Sequence, residues 1–239
     1  DDNTLRLGMR YLFFRFAWQF LPELWMVLRH GRLPRLVLLA EFSGNSAQEA
    51  RHRARAAERA ARPLVAATRI AADARDVEKY WAVRRESFNL LRTHIQKKQA
   101  VPFIDDIIVR PEVLPEFLPR LTTLLKPYEN DMIYTMAGHM GDGNFHIIPL
   151  MDLHSARARH IIPKVADAVY ALVLQYQGSI TAEHNDGLIR TPYVRQMYGN
   201  KIYELFQQVK NIFDPHTIFN PGKKVGGTLE YAMEHLRKE

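Results

Sequence analysis

Gly138-His139-Met140-Gly141-Asp142-Gly143-Asn144-Phe145-His146 reads as a tight turn between two short strands. Met132, Ile133, Tyr134 and Met136 lead in; Phe145, Ile147 and Ile148 lead out. Asp142-Gly143 is a two-residue hairpin signal, because a type I′ turn needs positive φ at both central positions. With that turn, Gly141 faces Asn144, Met140 faces Phe145 and His139 faces His146. Opposed residues on one face hold their Cβ atoms roughly 4.5–5.5 Å apart. Two imidazoles that close can share a metal ion, and histidine is the commonest metal ligand. The competing reading is a glycine-rich hairpin with two incidental histidines.

Upstream of the hairpin, the spacing alternates strand and helix. Leu36, Val37, Leu38, Leu39, Ala40 and Phe42 make a buried strand over 35–42. Gly44-Asn45-Ser46 is a turn whose serine can cap an arginine-rich helix over 47–61. A second strand follows near 64–70. Asp76 opens a long helix through about Lys98, with Val77, Tyr80, Trp81, Phe88, Leu91 and Ile95 at helical spacing. Pro102–Val109 is a third strand, holding Asp105-Asp106; a helix near 112–126 and a fourth strand over 131–137 complete the run. Downstream, a helix begins at Ser155, with a stripe of Ile161, Ile162, Val165, Ala168, Val169, Leu172, Val173 and Tyr176. Pro163 should sit in its first turn or kink it, and Gly178 should end it. Residues 179–190 form a short strand into a polar loop. A last helix over 193–213 turns Val194, Met197, Ile202, Leu205, Phe206, Val209 and Phe213 inward. The class these elements define is α+β: a ferredoxin-like antiparallel sheet with helices on one face, plus a C-terminal helical closing segment.

The domain reading follows. Residues 1–34 are an aromatic and basic helical segment, 35–190 the α+β domain, and 191–239 a C-terminal helix and closing segment. The N-terminal run 4–30 is too interrupted by Arg6, Arg10, Arg15, Pro22 and Glu23 to cross a membrane, which takes roughly eighteen consecutive apolar residues. It can pack on this domain, dock on another part of a longer protein, or lie as a basic amphipathic helix on a membrane surface. The chain opens Asp1-Asp2, without a signal peptide and without an initiating methionine, so a piece of a longer protein is expected.

Composition bounds the rest. The 239 residues carry 47% hydrophobic and 25% charged residues, ordinary for a globular protein. The formal charge is +7, but much of the basic excess lies in the first third and accompanies no nucleic-acid motif, so no nucleic-acid partner is expected. A basic surface also concentrates a small anionic substrate. There is no cysteine, so no disulfide, thiolate metal site or iron–sulfur cluster is carried here. That fits a cytoplasmic protein, peripheral to the inner face of the membrane if 4–30 lies on it.

About forty residues after the hairpin come Glu183 and His184. His139, His146 and Glu183 make a two-histidine, one-carboxylate set for a divalent metal (zinc, manganese or iron), with coordination positions left open. His184 is then free to act as general base. Alone, Glu183-His184 reads first as a solvated loop pair.

Three ordered motifs resemble those of the FAD-linked oxidases that include D-lactate, glycolate and D-2-hydroxyglutarate dehydrogenases, in the vanillyl-alcohol oxidase superfamily. The hairpin resembles GHxGDGNxH, Ser179–Gly187 resembles SxxxEHGxG, and Phe213-Asp-Pro through Asn220-Pro-Gly-Lys223 resembles FDPxxxxNPGK. The likeness covers roughly 35–225, with His184 through Gly199 closest to a branch often fused to an iron–sulfur reductase domain. It implies that the metal holds the carboxylate and hydroxyl of a 2-hydroxy acid, and that His184 removes the hydroxyl proton as hydride passes to FAD. It also implies that Asn144 orients substrate or flavin, that Arg84 grips the substrate carboxylate, and that Asn220 and Lys223 lie near the flavin. Arg85 competes with Arg84, and either can be an exposed helix residue. Asn-Pro-Gly at 220–222 can equally be only a turn. Asn185 stands where the family usually has glycine, which bears on the aim of His184. No glycine-rich pyrophosphate loop is visible, so the resemblance implies a substrate or cap domain whose flavin domain lies elsewhere. Such a domain alone should bind no FAD tightly and turn nothing over. The electron acceptor is open. A metal-dependent hydrolase and a non-catalytic binding module are the alternatives.

Overall fold

The computed structural model describes residues 36–82 and 98–236, together with Trp25, residues 27–29, Gly31 and Arg85. The chain falls into two compact units, Asp1–Gln96 and Lys97–Glu239.

In the first unit the capped helix forms as its sequence requires. Helix α1 spans Ala47–Ala61; the Ser46 side chain accepts from the Glu49 amide, and Glu49 reaches back to the Asn45 amide at 2.8 Å. The first contact satisfies a donor that the helix start leaves open, and the second ties down the residue before the cap. The two expected strands do not form. Residues 36–44 and 67–72 have no ladder, and Leu36, Val37, Leu38 and Leu39 are exposed. An apolar run becomes a strand only with a paired neighbour, and neither run finds one among the described residues. Helix α2 begins at 74, not 76, because Asp73 caps it by accepting from the Asp76 amide. Its described part runs to 82, with Arg85 also helical. Residues 83, 84 and 86–97 of the expected continuation and most of segment 4–30 lie outside the described residues; Lys98 is not helical.

The second unit is an α+β body on an antiparallel sheet. Strands β1 (Gln99–Ala100), β2 (Ile107–Ile108), β3 (Met132–His139) and β4 (Asn144–Met151) all pair through β4. β3 runs the full length of one side of β4; β1 and β2 share the other side, opposite its two ends. The expected strand 102–109 is therefore broken, and residues 101–106 form the break. Ser179 adds an antiparallel bridge to Ile108. Helices α3 (Leu114–Leu125) and α4 (Ala156–Gln175) supply the other half of the core. Phe117 of α3 lies 6.5 Å from the Phe145 ring of β4 and 5.5 Å, edge-on, from Tyr176. Phe145, Ile147 and Met151 face this core. Alternation along a strand then turns Asn144 and His146 to the opposite face.

Two local expectations change. Pro163 lies in the interior of α4, past its first turn. The left-handed residue that ends α4 is Gln177, at φ 56°, while Gly178 donates to Val173 O in the closing turn. Glycine is required at 178 for a different reason: a Cβ there would lie 2.3 Å from Ile108 O.

Past Ser179 come α5 (Gly187–Arg190), α6 (Val194–Phe213) and α7 (Leu229–Glu234). α6 is two helices joined at Gly199, whose φ of 76° no helix interior holds. Its expected inward stripe is largely outward. Ile202, Leu205, Val209 and Phe213 are exposed, and only Val194 and Tyr203 are buried. Asp214 then turns the chain, accepting from Lys210 and from the amides of Ile218 and Phe219. That explains an aspartate just after the helix. The tail docks through Lys224, whose amide donates to Thr191 Oγ1 at 2.7 Å and whose ammonium pairs with buried Asp186 at 2.5 Å.

Candidate active site

The hairpin exists, but its register differs by two residues from the one expected. His139 pairs with Asn144, and His146 with Ala137. The loop is Met140–Gly143, closed by Asp142 N to His139 O and Gly143 N to Met140 O. The cause lies outside the hairpin. Gly143, at φ 74°, accepts from the Val109 amide, and Val109 O fills the place of a Cβ at 1.8 Å. Only glycine tolerates both. Because the slip is an even number of residues, it preserves faces. His139 and His146 become diagonal neighbours on one face, with ring centroids 5.6 Å apart.

The second half of the site hangs from Asp106, which is fully buried in the break of the edge strand and has φ 66°. Its carboxylate accepts from Thr181 Oγ1 (2.9 Å) and from the amides of Ala182 (2.8 Å), Glu183 (3.1 Å) and His184 (2.9 Å). Asn144 Nδ2 adds a fifth donor at 3.2 Å. Burial alone would raise the Asp106 pKa, but the backbone donors of 182–184 and Thr181 outweigh it and hold it below the ordinary value. Asp106 thus anchors the segment that carries Glu183 and His184.

The side chains converge on one atom. Glu183 Oε1 lies 2.8 Å from His146 Nε2, 3.3 Å from His139 Nε2 and 3.8 Å from His184 Nε2. His139, Glu183 and His184 are about half exposed, whereas His146 is largely covered. Beneath the rings lies Asp105, with Oδ2 3.0 Å from His184 Nδ1 and Oδ1 3.3 Å from His146 Nδ1. This carboxylate raises the His146 pKa; burial opposes it, and Glu183 adds to the rise.

Arg190, 5% exposed, gives Nη1 to Asp105 O at 3.0 Å and both Nε and Nη2 to Asn185 O. It fastens the break to the loop after His184. Asn185 itself is at φ 61°, the conformation that glycine would take there, and asparagine is among the few other residues that enter it readily. Its Oδ1 also accepts from the Asp186 amide. The backbone after His184 is therefore in a conformation open to asparagine as well as to glycine.

Donor chemistry suits a divalent metal: imidazole nitrogens and a carboxylate meet on a half-open face. Among the described residues, Asp106, His146, Glu183 and His184 form a group whose donor atoms lie within 4.8 Å of one another. Asp106 already accepts from five donors; His139 is outside that group, with its Nε2 3.3 Å from Glu183 Oε1.

Other expected residues fall as follows. Asn144 is on the site face but buried, with its amide donating to Asp106 and Ile107 O. Lys223 Nζ donates to Asn220 Oδ1 at 3.2 Å in the exposed turn after α6. Arg84 lies outside the described residues. Arg85 pairs with Glu78 on an exposed helix surface. Asp105, Asp106 and Arg190 hold the site together, and residue order alone does not mark them as site residues. The signal was two adjacent acids inside the apolar run Phe103-Ile104-Asp105-Asp106-Ile107-Ile108, since buried acids need partners.

Residues 28–224 match the family described as FAD linked oxidases, C-terminal domain, and the chain belongs to that family. It is 33% identical over 154 residues to a D-2-hydroxyglutarate dehydrogenase of Pseudomonas putida, covering 64% of this chain and 15% of that protein. The corresponding enzyme of Escherichia coli K12 is 31% identical over 62% of the chain and 14% of its own length. A D-lactate dehydrogenase of Anaerostipes hadrus is 30% identical over 78% of the chain and 38% of its own length. The chain thus spans a minor part of each of these relatives. Among the described residues, no helix is long and apolar enough to cross a membrane.

Proposed function

We propose that this chain forms the substrate side of a flavin-dependent dehydrogenase that oxidises a D-2-hydroxy acid to the 2-oxo acid. The observation that carries the proposal is the meeting of three imidazole Nε2 atoms around one oxygen of Glu183. Family membership supports the flavin, and the named relatives support the substrate class. His139, His146 and Glu183 would hold the divalent ion. A bound ion supplies Lewis-acid polarisation of the substrate hydroxyl, and a bound flavin supplies the hydride acceptor.

The chain's own residues do the rest. His184 takes the hydroxyl proton at Nε2, the ring atom turned toward Glu183, because its Nδ1 faces Asp105. Arg84 would grip the substrate carboxylate with its planar fork. Asn144 holds the floor of the site through Asp106 and aids orientation from there. Asn220 and Lys223, on their exposed turn, would meet the flavin. The reading includes a cytoplasmic location and a flavin domain supplied by another part of a longer protein.

Metal analysis and dye reduction with a panel of D-2-hydroxy acids, on the full-length protein bearing this domain, test the proposal. Bound metal with D-acid-dependent dye reduction supports it. Bound metal with hydrolysis, or neither metal nor dye reduction, contradicts it.

A further inference from the structure

The C-terminal tail meets the segment that carries Glu183 and His184 through an ion pair to a buried aspartate. Two adjacent lysines of the tail part company there. Lys223 stays on the exposed turn with Asn220, whereas Lys224 turns inward at φ 67°, a left-handed backbone that a residue with a side chain holds only where its surroundings fix it. Those surroundings are close. The Lys224 amide donates to Thr191 Oγ1, and the Gly226 amide to Tyr203 Oη at 3.0 Å. A Cβ at Gly227 would lie 2.3 Å from Gly222 O and 2.8 Å from Thr191 Cγ2. So placed, the Lys224 ammonium reaches Asp186 Oδ2, two residues past His184. Asp186 is 1% exposed, and its Oδ1 is buried without a hydrogen-bond partner. Among the described residues, Lys224 is the one ion-pair partner of that carboxylate.

We infer that Lys224 and Asp186 are positioning residues that lock the tail to the segment bearing Glu183 and His184, so that this segment and the exposed turn at 220–223 are held as one piece. The inference rests on the proposed function only for what the two segments bind. A buried carboxylate that loses its cation is costly to keep in place. Without the ammonium, both Asp186 oxygens lack a partner, and relief lies toward water. Asp186 cannot move alone. Its amide donates to Asn185 Oδ1 at 2.8 Å, its carbonyl accepts from the Arg190 amide at 3.1 Å, and Asn185 O accepts from the Arg190 guanidinium. Displacement of Asp186 therefore passes along the backbone to Glu183 and His184. The coupling is reciprocal, so loosening Asp186 also loosens the tail.

Amide hydrogen exchange in the metal-free 239-residue chain reads both ends of the lock. In Lys224→Met, the amides of Glu183, His184 and Asp186 should exchange at least about tenfold faster than in wild type, while those of Val169 and Val173 in α4 keep their rates. In Asp186→Ala, the amides of Lys224 and Gly226 should be loosened likewise. Lys224→Arg keeps the cation and should exchange as wild type does. Zn²⁺ affinity should fall about 10–100-fold in Lys224→Met and hold in Lys224→Arg. The inference is overturned by unchanged exchange at 183–186 in Lys224→Met, by equal acceleration in α4, or by equal acceleration in Lys224→Arg. Should Lys224→Met not fold, Asp186→Ala decides: unchanged exchange at Lys224 and Gly226 overturns it. Where the wild type binds Zn²⁺, undiminished affinity in Lys224→Met overturns it as well. A wild type that binds no Zn²⁺ defeats the functional proposal instead, and exchange alone then decides this inference.

Discussion

Replacing Asp106 by asparagine is the perturbation with the largest consequence that the structure allows to be worked out. Asparagine keeps the shape and tolerates φ 66°, so the change isolates the charge. An amide placed with its nitrogen at Oδ1 faces Asn144 Nδ2, donor against donor, and loses that bond. The oxygen at Oδ2 still meets Thr181 Oγ1 and the amides of Ala182, Glu183 and His184. Those bonds become neutral. Hydrogen bonds to charged groups contribute about 1.5–3 kcal/mol each and neutral ones about 0.5–1.5. Several such differences sharing one carboxylate amount to about 3–5 kcal/mol, below their simple sum because the bonds are coupled. Urea unfolding should therefore show a midpoint well below wild type at similar slope. Zn²⁺ titration should show a loss of about 10–100-fold, because the anchor of Glu183 and His184 is weakened. Wild-type stability together with wild-type Zn²⁺ affinity in Asp106→Asn would refute the reasoning.

Three further outcomes follow from the same geometry. Gly143→Ala combines a left-handed backbone with a Cβ driven onto Val109 O, and should lose about 2–5 kcal/mol in urea unfolding. Arg190→Met removes the fork that ties Asp105 O to Asn185 O and should cost about 2–4 kcal/mol by the same measure, with weakened Zn²⁺ binding. The lowered pKa of Asp106 gives a signed pH dependence: its contribution is full above the unfolded value near 3.8 and is lost as pH falls through the lower folded value. Unfolding free energy measured from roughly pH 5 downward should decline through that window, and Asp106→Asn should flatten the decline.

Much of the site could be read from residue order, and the reasons differ by residue. Asn144, Phe145 and His146 alternate polar, apolar, polar, which alone places the histidine opposite the core. The pairing of hairpin and Glu183-His184 was legible as a donor set. The register was not, because the contact of Gly143 with Val109 sets the loop, and that contact is long-range. Asp105 and Asp106 read from sequence only as part of a strand. Nothing local says that the strand breaks around them or that Asp106 gathers the amides of 182–184. The stripe on α6 has correct helical spacing, yet spacing does not say what covers it, and Gly199 splits the helix. Residues 35–42 and 64–70 have strand composition but no ladder among the described residues; composition specifies an extended run, not its partner.

The central claim is that His139, His146 and Glu183 form a metal site, and calorimetric titration of the chain with Zn²⁺ tests it most directly. The account predicts saturable binding at one ion per chain, abolished in His139→Ala and in His146→Ala while far-ultraviolet circular dichroism stays that of the folded protein. Absence of saturable binding in the wild type, or undiminished binding in both variants, would contradict it.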